Sequence, residues 1–313
     1  MEDYPRNQSE FDRRFATEEA CRDYLVALRW PEGFECPRCG GQEAGRTRRG
    51  LLMCRGCRYQ ASVTAGTIFQ DSRKPLTLWF RAIWAITGYK TGASALALQR
   101  ILGLGSYETA WTWLHKIRRA MVRPGRERLH GEVEVDETFV GAPEEGRHGR
   151  RMVSKTMVVV AAEKDGQGIG RIRMRRVPDG SARSLHGFVQ EAIEPGSVLV
   201  TDDWQGYAGL KGYERAIKQI AGSGQTASQL LPRVHRVVSL LKRWLMGTHQ
   251  GAVSHEHLDY YLDEFTFRFN RRRSASRGKL FYRLVQNAVR VPPAPYQSLT
   301  KHVRGRKPRN HNP

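Results

Sequence analysis

The chain has 313 residues, and its 52 lysines and arginines against 31 aspartates and glutamates give a net charge of +21. This excess of positive charge, with a pI near 10.3, predicts a polyanionic partner, DNA or RNA before a membrane surface. Hydrophobic residues make up 40% of the chain, which argues against a solvated, disordered polycation. The alternative is a soluble basic protein without a nucleic-acid partner.

The sequence indicates neither a membrane span nor a secretion signal. No stretch of about 18 apolar residues is present. The first residues are polar and mixed in charge, unlike a signal peptide. We therefore expect a cytoplasmic protein that does not bind membranes.

The first 70 residues predict a helix and a zinc ribbon, together a domain over 9–70. The amphipathic pattern of residues 9–30 predicts the helix, with Cys21 on its apolar side as a structural residue. Two Cys-x-x-Cys pairs, separated by 14 residues (54 − 39 − 1 = 14), are formed by Cys36, Cys39, Cys54 and Cys57. Such pairs direct four thiolates at one tetrahedral Zn²⁺, which would supply most of the folding free energy of so short a segment. The alternative is two redox dithiols or two disulfides.

A helical segment, residues 71–125, follows the ribbon. Its apolar residues recur at intervals of three and four, and a turn at Gly103-Leu-Gly105 separates its last two helices. Two helices across a glycine turn resemble a DNA-binding helix-turn-helix. The second helix ends in the basic residues that we expect to contact DNA: Lys116, Arg118 and Arg119. The alternative is an ordinary helical hairpin with Trp111 and Trp113 in its core.

From residue 129 the pattern changes to alternating strands and helices. Strands are predicted at 132–140, 156–163, 169–177, 197–202 and near 215–220, and helices at 181–193 and about 232–246. The order βββαβ, a short β and then α is that of a ribonuclease-H-like core, an α/β fold with a mixed sheet. In that order the first and fourth strands are neighbours, so a carboxylate on each would converge at one sheet edge.

Two aspartates and one helix carry the predicted chemistry. Asp136 lies in a Val-rich strand, and Asp202 lies at the end of another. His235 and Lys242 are seven positions apart (242 − 235 = 7), about two helical turns, so both project from one face of a helix. Two carboxylates and a helix-borne ligand suit Mg²⁺ or Mn²⁺ together with phosphate oxygens. This pattern predicts phosphoryl transfer on a nucleic-acid backbone.

The C-terminal part of the chain is basic throughout. Between residues 265 and 313 there is no acidic residue but there are 13 lysines and arginines. Residues 291–313 are predicted to form a disordered basic tail that contacts phosphate. On the last predicted core helix and in the arginine run, the residues expected to bind nucleic acid are Lys242, Arg243, Arg271, Arg272 and Arg273.

These motifs resemble those of bacterial insertion-sequence transposases of the ISXO type, in which a zinc ribbon precedes a DDE-type catalytic domain. The resemblance covers roughly residues 15–285. Besides the cysteine pairs it rests on 62–69 (SVTAGTIF), 131–141 (GEVEVDETFVG), 201–207 (TDDWQGY), 241–249 (LKRWLMGTH) and 265–270 (FTFRFN). It implies a catalytic domain over 129–290 in a nucleoid-associated bacterial protein.

The resemblance implies metal-dependent cleavage at transposon DNA ends, after which the freed 3′-hydroxyl attacks target DNA in a homo-oligomeric synaptic complex. Asp136 and Asp202 match the two aspartate ligands of Mg²⁺ or Mn²⁺, with Glu137 and Asp203 as the neighbouring alternatives. Lys242 matches the basic residue seven positions after the third ligand. Alternative functions are an inactive zinc-ribbon DNA-binding regulator and a structure-selective nuclease.

The chain departs from the family pattern at the third ligand. His235 stands where many DDE enzymes have glutamate. Imidazole binds Mn²⁺ more readily than the harder Mg²⁺, and it can also carry a proton near neutral pH. The alternative is a histidine that contacts phosphate or packs in the core without a metal role.

Overall fold

A computed structural model of the chain describes residues 2–89, 91–123, 125–141, 155–219, 222–251 and 253–301. They belong to two compact units. The first unit contains the chain up to Arg123 together with the part from Ser274 onward, and the second runs from residue 124 to Arg273. Within the described ranges, no helix is both long and apolar enough to cross a membrane.

Helices and strands of the described residues are numbered in chain order. The helices are α1 (Gln8–Arg14), α2 (Glu18–Arg29), α3 (Leu76–Gly88), α4 (Ala95–Leu102), α5 (Tyr107–Ala120), α6 (Ala182–Ala192), α7 (Ala227–Leu230), α8 (Pro232–His249), α9 (Leu258–Asn270), α10 (Arg277–Ala288) and α11 (Tyr296–Lys301). The strands are β1 (Ala44–Arg46), β2 (Leu52–Cys54), β3 (Gln60–Ala61), β4 (Glu132–Val140), β5 (Thr156–Asp165), β6 (Gly168–Val177), β7 (Val198–Thr201) and β8 (Glu214–Ile217). A short 3-10 helix, Gln205–Tyr207, follows β7.

The segment predicted as one helix over 9–30 is two helices, α1 and α2. Helix α1 ends before Phe15, which is 5% exposed and packs in the core. Thr17 then begins α2, because its hydroxyl accepts the N–H of Ala20 at 3.2 Å as an N-cap. Cys21 is fully buried on the apolar side of α2, as predicted. The prediction missed the break because the apolar spacing continues through it.

An aromatic cluster stabilises the first unit and includes a helix from the far end of the chain. Phe281 of α10 is fully buried, and its ring centroid lies 5.5 Å from that of Phe11 and 5.6 Å from that of Phe80. Helix α10 therefore packs with α1 and α3, whereas the predicted catalytic domain ran to residue 290. Helical periodicity shows that α10 has an apolar face but not which partner covers it.

Helices α4 and α5 are joined by the predicted glycine turn. Gly103 ends α4 in the left-handed region with φ +61°, and Ser106 Oγ accepts the N–H of Thr109 at 3.2 Å to begin α5. Trp113 is 5% exposed, and its ring stacks on Trp79 with centroids 3.9 Å apart. Trp113 is thus a core residue, as in the helical-hairpin alternative, and a DNA contact by α5 stays a prediction.

The second unit contains a five-stranded mixed sheet in the order β6-β5-β4-β7-β8. Strand β5 is antiparallel to β4 and to β6, whereas β7 is parallel to β4 and to β8. Together with α6 and α8, this is the βββαβ, short β, α order expected from the sequence. The ribonuclease-H-like fold class is therefore confirmed.

Separate cores cover the two faces of this sheet. On one face, Val133 and Val135 of β4 pack with Leu185 of α6. On the other, Val160 of β5 packs with Val234 of α8 and with residues of α9. Because side chains alternate along a strand, the even-numbered residues of β4 point toward α8. This alternation decides which acidic residues can meet that helix.

Candidate functional site

The four cysteines of the ribbon form one cluster. Their Sγ atoms all lie within 4.8 Å of one another, and two of the pairs, Cys36–Cys57 and Cys39–Cys54, are 3.6 Å apart. Tetrahedral zinc with Zn–S bonds of about 2.3 Å has S···S edges of about 3.8 Å, close to these distances. All four are free thiols, so no disulfide competes. The cluster fits one structural zinc ion.

A glycine allows this close approach of sulfurs. A Cβ on Gly41 would lie 3.3 Å from Cys54 Sγ and 3.4 Å from Cys39 Sγ, closer than ordinary packing contacts. The adjacent Gly40 has φ +72°, which favours glycine. The two glycines turn the chain after the first cysteine pair so that it can share an ion with the second.

Asp136 lies on β4, and Asp202 directly follows β7, the neighbouring parallel strand. The pairing of β4 with β7 ends at Glu134 opposite Val200, and each aspartate is two residues further along (134 + 2 = 136 and 200 + 2 = 202). Both are half-buried, whereas Asp203 is exposed. The structure therefore places the two predicted aspartates at the same end of the parallel strand pair.

His235 of α8 faces Asp136. Its Nε2 atom lies 3.3 Å from Asp136 Oδ2, within ion-pair distance, and the two side chains are 31% and 16% exposed. The other oxygen, Asp136 Oδ1, accepts the N–H of Glu137 at 2.8 Å. The structure thus brings the predicted helix-borne residue to the first predicted aspartate.

Tyr207 is a buried residue close to the acidic residues. It is 1% exposed. Burial, and then the negative charges of Glu137, Asp136 and Asp202, raises the pKa of its hydroxyl well above the ordinary value. All three carboxylates are therefore within electrostatic reach of one buried hydroxyl. Glu137 follows Asp136 on the strand, so its side chain points to the opposite face, away from α8.

The donor atoms suit a divalent cation, although they are not gathered as tightly as the cysteines. Two carboxylates and an imidazole are ligands that Mn²⁺ accepts, and Mg²⁺ prefers the oxygens. Of the residues that the structure describes, the four cysteines alone bring three or more ligand atoms close enough to hold one ion. Asp202 Oδ1 accepts the N–H of Trp204 at 3.1 Å. Shared binding by Asp136, Asp202 and His235 therefore requires these side chains to approach one another.

Two family models and one relative from a transposable element match this chain. Residues 128–270 match the model of the ISXO2-like transposase domain, and residues 16–60 match that of the transposase zinc-ribbon domain. The chain carries an ISXO2-like transposase domain behind a transposase zinc ribbon. It is also 24% identical over 279 residues, 82% of this chain and 92% of the relative, to an uncharacterized protein in transposable element ISH50 of Halobacterium salinarum.

The part of helix α8 that leads away from the acidic residues has a basic surface. It carries no acidic side chain, and Lys242 and Arg243 are both exposed. Although Lys242 is exposed, neighbouring atoms remove part of the water around its ammonium group, and this desolvation, followed by the positive charge of Lys155, lowers its pKa. Lys242 therefore lies on a surface of like charge, which an anion such as a phosphate would neutralise.

The predicted DNA contacts of α5 are unequally accessible. Arg118 is 1% exposed, so it is a core residue and is not on a surface that could meet DNA. Lys116 is half-buried, and burial lowers its pKa. Arg119 donates to the carbonyl of Pro293 at 3.4 Å. The sequence pattern failed for Arg118 because every third or fourth residue of α5 faces the core, whatever its charge.

The arginine run that follows α9, residues 271–273, contacts α9 and the β5–β6 hairpin. Arg271 lies over the ring of Phe267 at 4.1 Å from its centroid. Arg272 donates to the carbonyl of Gly170 at 3.1 Å, and Arg273 Nη1 lies 2.5 Å from Asp165 Oδ2. Some N–H groups of these arginines are therefore already bonded within the protein. Their role in binding DNA stays a prediction.

Sequence reasoning missed two residues that support the site. Arg215 of β8 donates to Thr201 Oγ1 at 2.9 Å and to the carbonyl of Asp202 at 2.8 Å, which fixes the chain where β7 ends. Glu134 of β4 is 3% exposed and bonds the start of α8. The sequence carried one sign of this cap: no polar residue precedes Pro232 to cap α8. The first amides of such a helix need an acceptor from elsewhere in the chain.

Proposed function

We propose that this transposase catalyses metal-dependent cleavage of insertion-sequence ends and transfers the freed strand to target DNA. The observation that supports this best is the Asp136–His235 contact of 3.3 Å beside the β4–β7 pair that leads to Asp202. His235 and Asp136 face each other, and Asp202 follows the strand paired with β4 at the same end of the strand pair. The basic surface of α8 adjoins them.

In this proposal Asp136, Asp202 and His235 hold the catalytic metal, Mg²⁺ or Mn²⁺. When bound, such an ion stabilises the negative charge that develops on the phosphate oxygens during transfer. The half-buried setting of the carboxylates strengthens their attraction for a cation relative to a fully solvated site.

Lys242 is proposed to bind a phosphate of the DNA end. It lies two turns along α8 from His235, about 10.5 Å at 1.5 Å per residue, too far to share an ion with it. Lys242 and Arg243 would therefore orient the backbone so that the scissile phosphate meets the acidic residues. Lys116, Arg119 and the arginine run are proposed as further phosphate contacts, which position DNA without specifying its sequence.

Two DNA ends must be processed for one element to move, and each chain carries one such site. We therefore propose that copies of the chain assemble on the paired ends as a homo-oligomer. Light scattering of the protein with and without end DNA measures this directly. A complex that holds two ends with a single chain would contradict the proposal.

Cleavage of labelled end duplexes tests the catalytic role. Asp136→Asn and Asp202→Asn should each lower cleavage at least about 100-fold in Mg²⁺ and Mn²⁺, because loss of a carboxylate weakens the hold on the ion. DNA binding should stay within about twofold, since the basic surface is unchanged. Asp203→Asn is the matched control, because it removes the same charge from the exposed neighbour and should retain cleavage.

The same assay separates the alternatives. A wild-type protein that binds ends but cleaves none in either metal would be a DNA-binding regulator. Cleavage without joined product, on ends and on unrelated branched DNA alike, would indicate a nuclease. Full cleavage by Asp136→Asn would mean that other carboxylates hold the metal.

A further inference from the structure

Helix α8 begins without a capping side chain of its own. Leu231 occupies the N-cap position and makes no side-chain hydrogen bond, and Pro232 follows at the first helical position. The next two amides instead donate to one oxygen of Glu134 on β4. Arg233 N lies 2.7 Å and Val234 N 2.9 Å from Glu134 Oε2. A strand residue therefore caps the helix.

The other oxygen of this carboxylate is also bonded. Arg233 Nη1 donates to Glu134 Oε1 at 2.8 Å, and Arg233 Nε donates to the carbonyl of Gly168 at 3.1 Å. Glu134 is 3% exposed, so its charge is buried and needs these partners. A helix N-terminus and a guanidinium together supply the required positive potential.

The cap lies next to a proposed metal ligand on β4 and next to another on α8. Glu134 and Asp136 are two residues apart on β4 and so share the face toward α8. His235 directly follows Val234, whose amide Glu134 accepts. The same short stretch of strand therefore contacts the helix twice, once through the cap and once through the Asp136–His235 contact of 3.3 Å.

Apolar packing alone would not fix this alignment. Val234, Val237 and Leu241 are fully buried and keep α8 against the sheet. Hydrophobic burial is non-directional, however, and it tolerates small shifts and rotations of a helix along its axis. Two amide bonds to one buried oxygen are directional and set the axial position of the first turn.

We propose that Glu134 is a positioning residue of the catalytic site. It fixes the first turn of α8 so that the His235 imidazole reaches Asp136, and it touches neither metal nor DNA itself. The assignment rests on the proposed function insofar as His235 and Asp136 hold a metal ion. The alignment that Glu134 imposes is measurable without that function.

The test compares Glu134→Gln with Glu132→Gln in the full-length protein. Glu132 is a matched control because it lies two residues away on the same face of β4, paired with Lys164 near the surface at 2.6 Å. Glutamine at 134 keeps one acceptor and the side-chain length, so the fold should survive. Circular dichroism and zinc content verify folding of both variants.

The first readout is independent of metal. In ¹⁵N-histidine-labelled protein, the His235 ring signal is assigned with His235→Gln and should shift in Asp136→Asn, which removes its neighbouring charge. Glu134→Gln should shift it as well, and Glu132→Gln should leave it unchanged. A His235 signal that is the same in Glu134→Gln and wild type overturns the proposal, whether or not the protein cleaves DNA.

The second readout is Mn²⁺ binding by electron paramagnetic resonance. Glu134→Gln should weaken Mn²⁺ binding about 10-fold, the lower end of the effect of residues that orient metal ligands. In a His235→Ala background the same change should have no further effect, because Glu134 acts through His235. An equal loss in both backgrounds would show that Glu134 acts on stability alone. Mn²⁺ binding that is insensitive to Asp136→Asn would instead refute the proposed metal site and leave the first readout to decide on Glu134.

Discussion

At the residue scale, the proposed metal ligand His235 leads to a prediction about which metal the site prefers. His235 presents a ring nitrogen 3.3 Å from Asp136, where a carboxylate would present oxygen. We expect His235→Glu to retain cleavage and to raise the ratio of the Mg²⁺ rate to the Mn²⁺ rate about 10-fold, because a hard oxygen replaces nitrogen. Cleavage rates in each metal measure this ratio.

His235→Gln is the control for that exchange, since it supplies a neutral amide of similar length. It should lower cleavage in both metals without raising the ratio. If His235→Glu leaves the ratio unchanged, His235 is not a metal ligand. Its contact with Asp136 would then serve only to hold that carboxylate.

Cys21 has a different environment from the other cysteines. Burial, and then the charge of Glu18, raises the pKa of its thiol from about 9 to about 12. Because the folded-state pKa is raised, the neutral thiol persists as the pH rises through 9 and ionises only near 12. We expect no alkylation of Cys21 by iodoacetamide at pH 8 in the zinc-loaded protein, measured by mass spectrometry. Rapid modification of the folded protein would contradict this burial.

At the scale of single elements, we expect the fold of the ribbon to depend on a bound zinc ion. Strands β1, β2 and β3 have three, three and two residues, too few to bury a core of their own. We expect about one zinc per chain, and Cys54→Ser should remove it and unfold the ribbon. Atomic emission and circular dichroism measure both effects.

Cys21→Ser serves as the control for the ribbon, because it also replaces a buried cysteine but lies outside the cluster. It should retain the full zinc content. A zinc-free wild type with thiols paired as disulfides would exclude the structural-zinc assignment. Zinc retained in Cys54→Ser would mean that three cysteines suffice.

For the whole molecule, the net charge of +21 predicts DNA binding that weakens steeply with salt. Replacing one basic residue that binds a phosphate should reduce the slope of log affinity against log salt by about 1. Arg243→Ala on the exposed face of α8 should do so, and binding titrations at several salt concentrations measure it. An affinity that is equal at low and high salt would contradict the charge argument.

A truncation that removes the basic C-terminal segment must leave the helices of the first unit in place. A truncation at residue 269 would delete α10 and its buried Phe281, and would therefore unfold that unit. Truncation after Lys301 removes four basic residues, Arg304, Arg306, Lys307 and Arg309, that lie outside the described residues. It should weaken binding to all DNA sequences alike. A change in sequence preference would argue for base contacts by this segment.

The sequence by itself determined the ribonuclease-H-like class, the ribbon and the identity of Asp136 as a strand residue. These follow from short-range patterns: period-two valine runs, paired cysteines and the order of elements. The break at Thr17 does not follow from these patterns, because apolar spacing continues across it. Nor does the burial of Arg118, since charge does not reveal which face of a helix is covered.

Only the tertiary structure decided which groups meet. Sequence places Glu134 and Arg233 99 positions apart. The missing polar N-cap before Pro232 indicates that α8 needs an acceptor from elsewhere, but nothing local identifies Glu134 as that acceptor. The parallel pairing of β4 with β7 brings Asp136 and Asp202 to the same end of the strand pair, and the packing of α8 sets His235 against Asp136. Likewise, α10 returns to the first unit because its aromatic partners are there. Such contacts depend on long-range packing and buried charge compensation, which arise when the chain closes on itself.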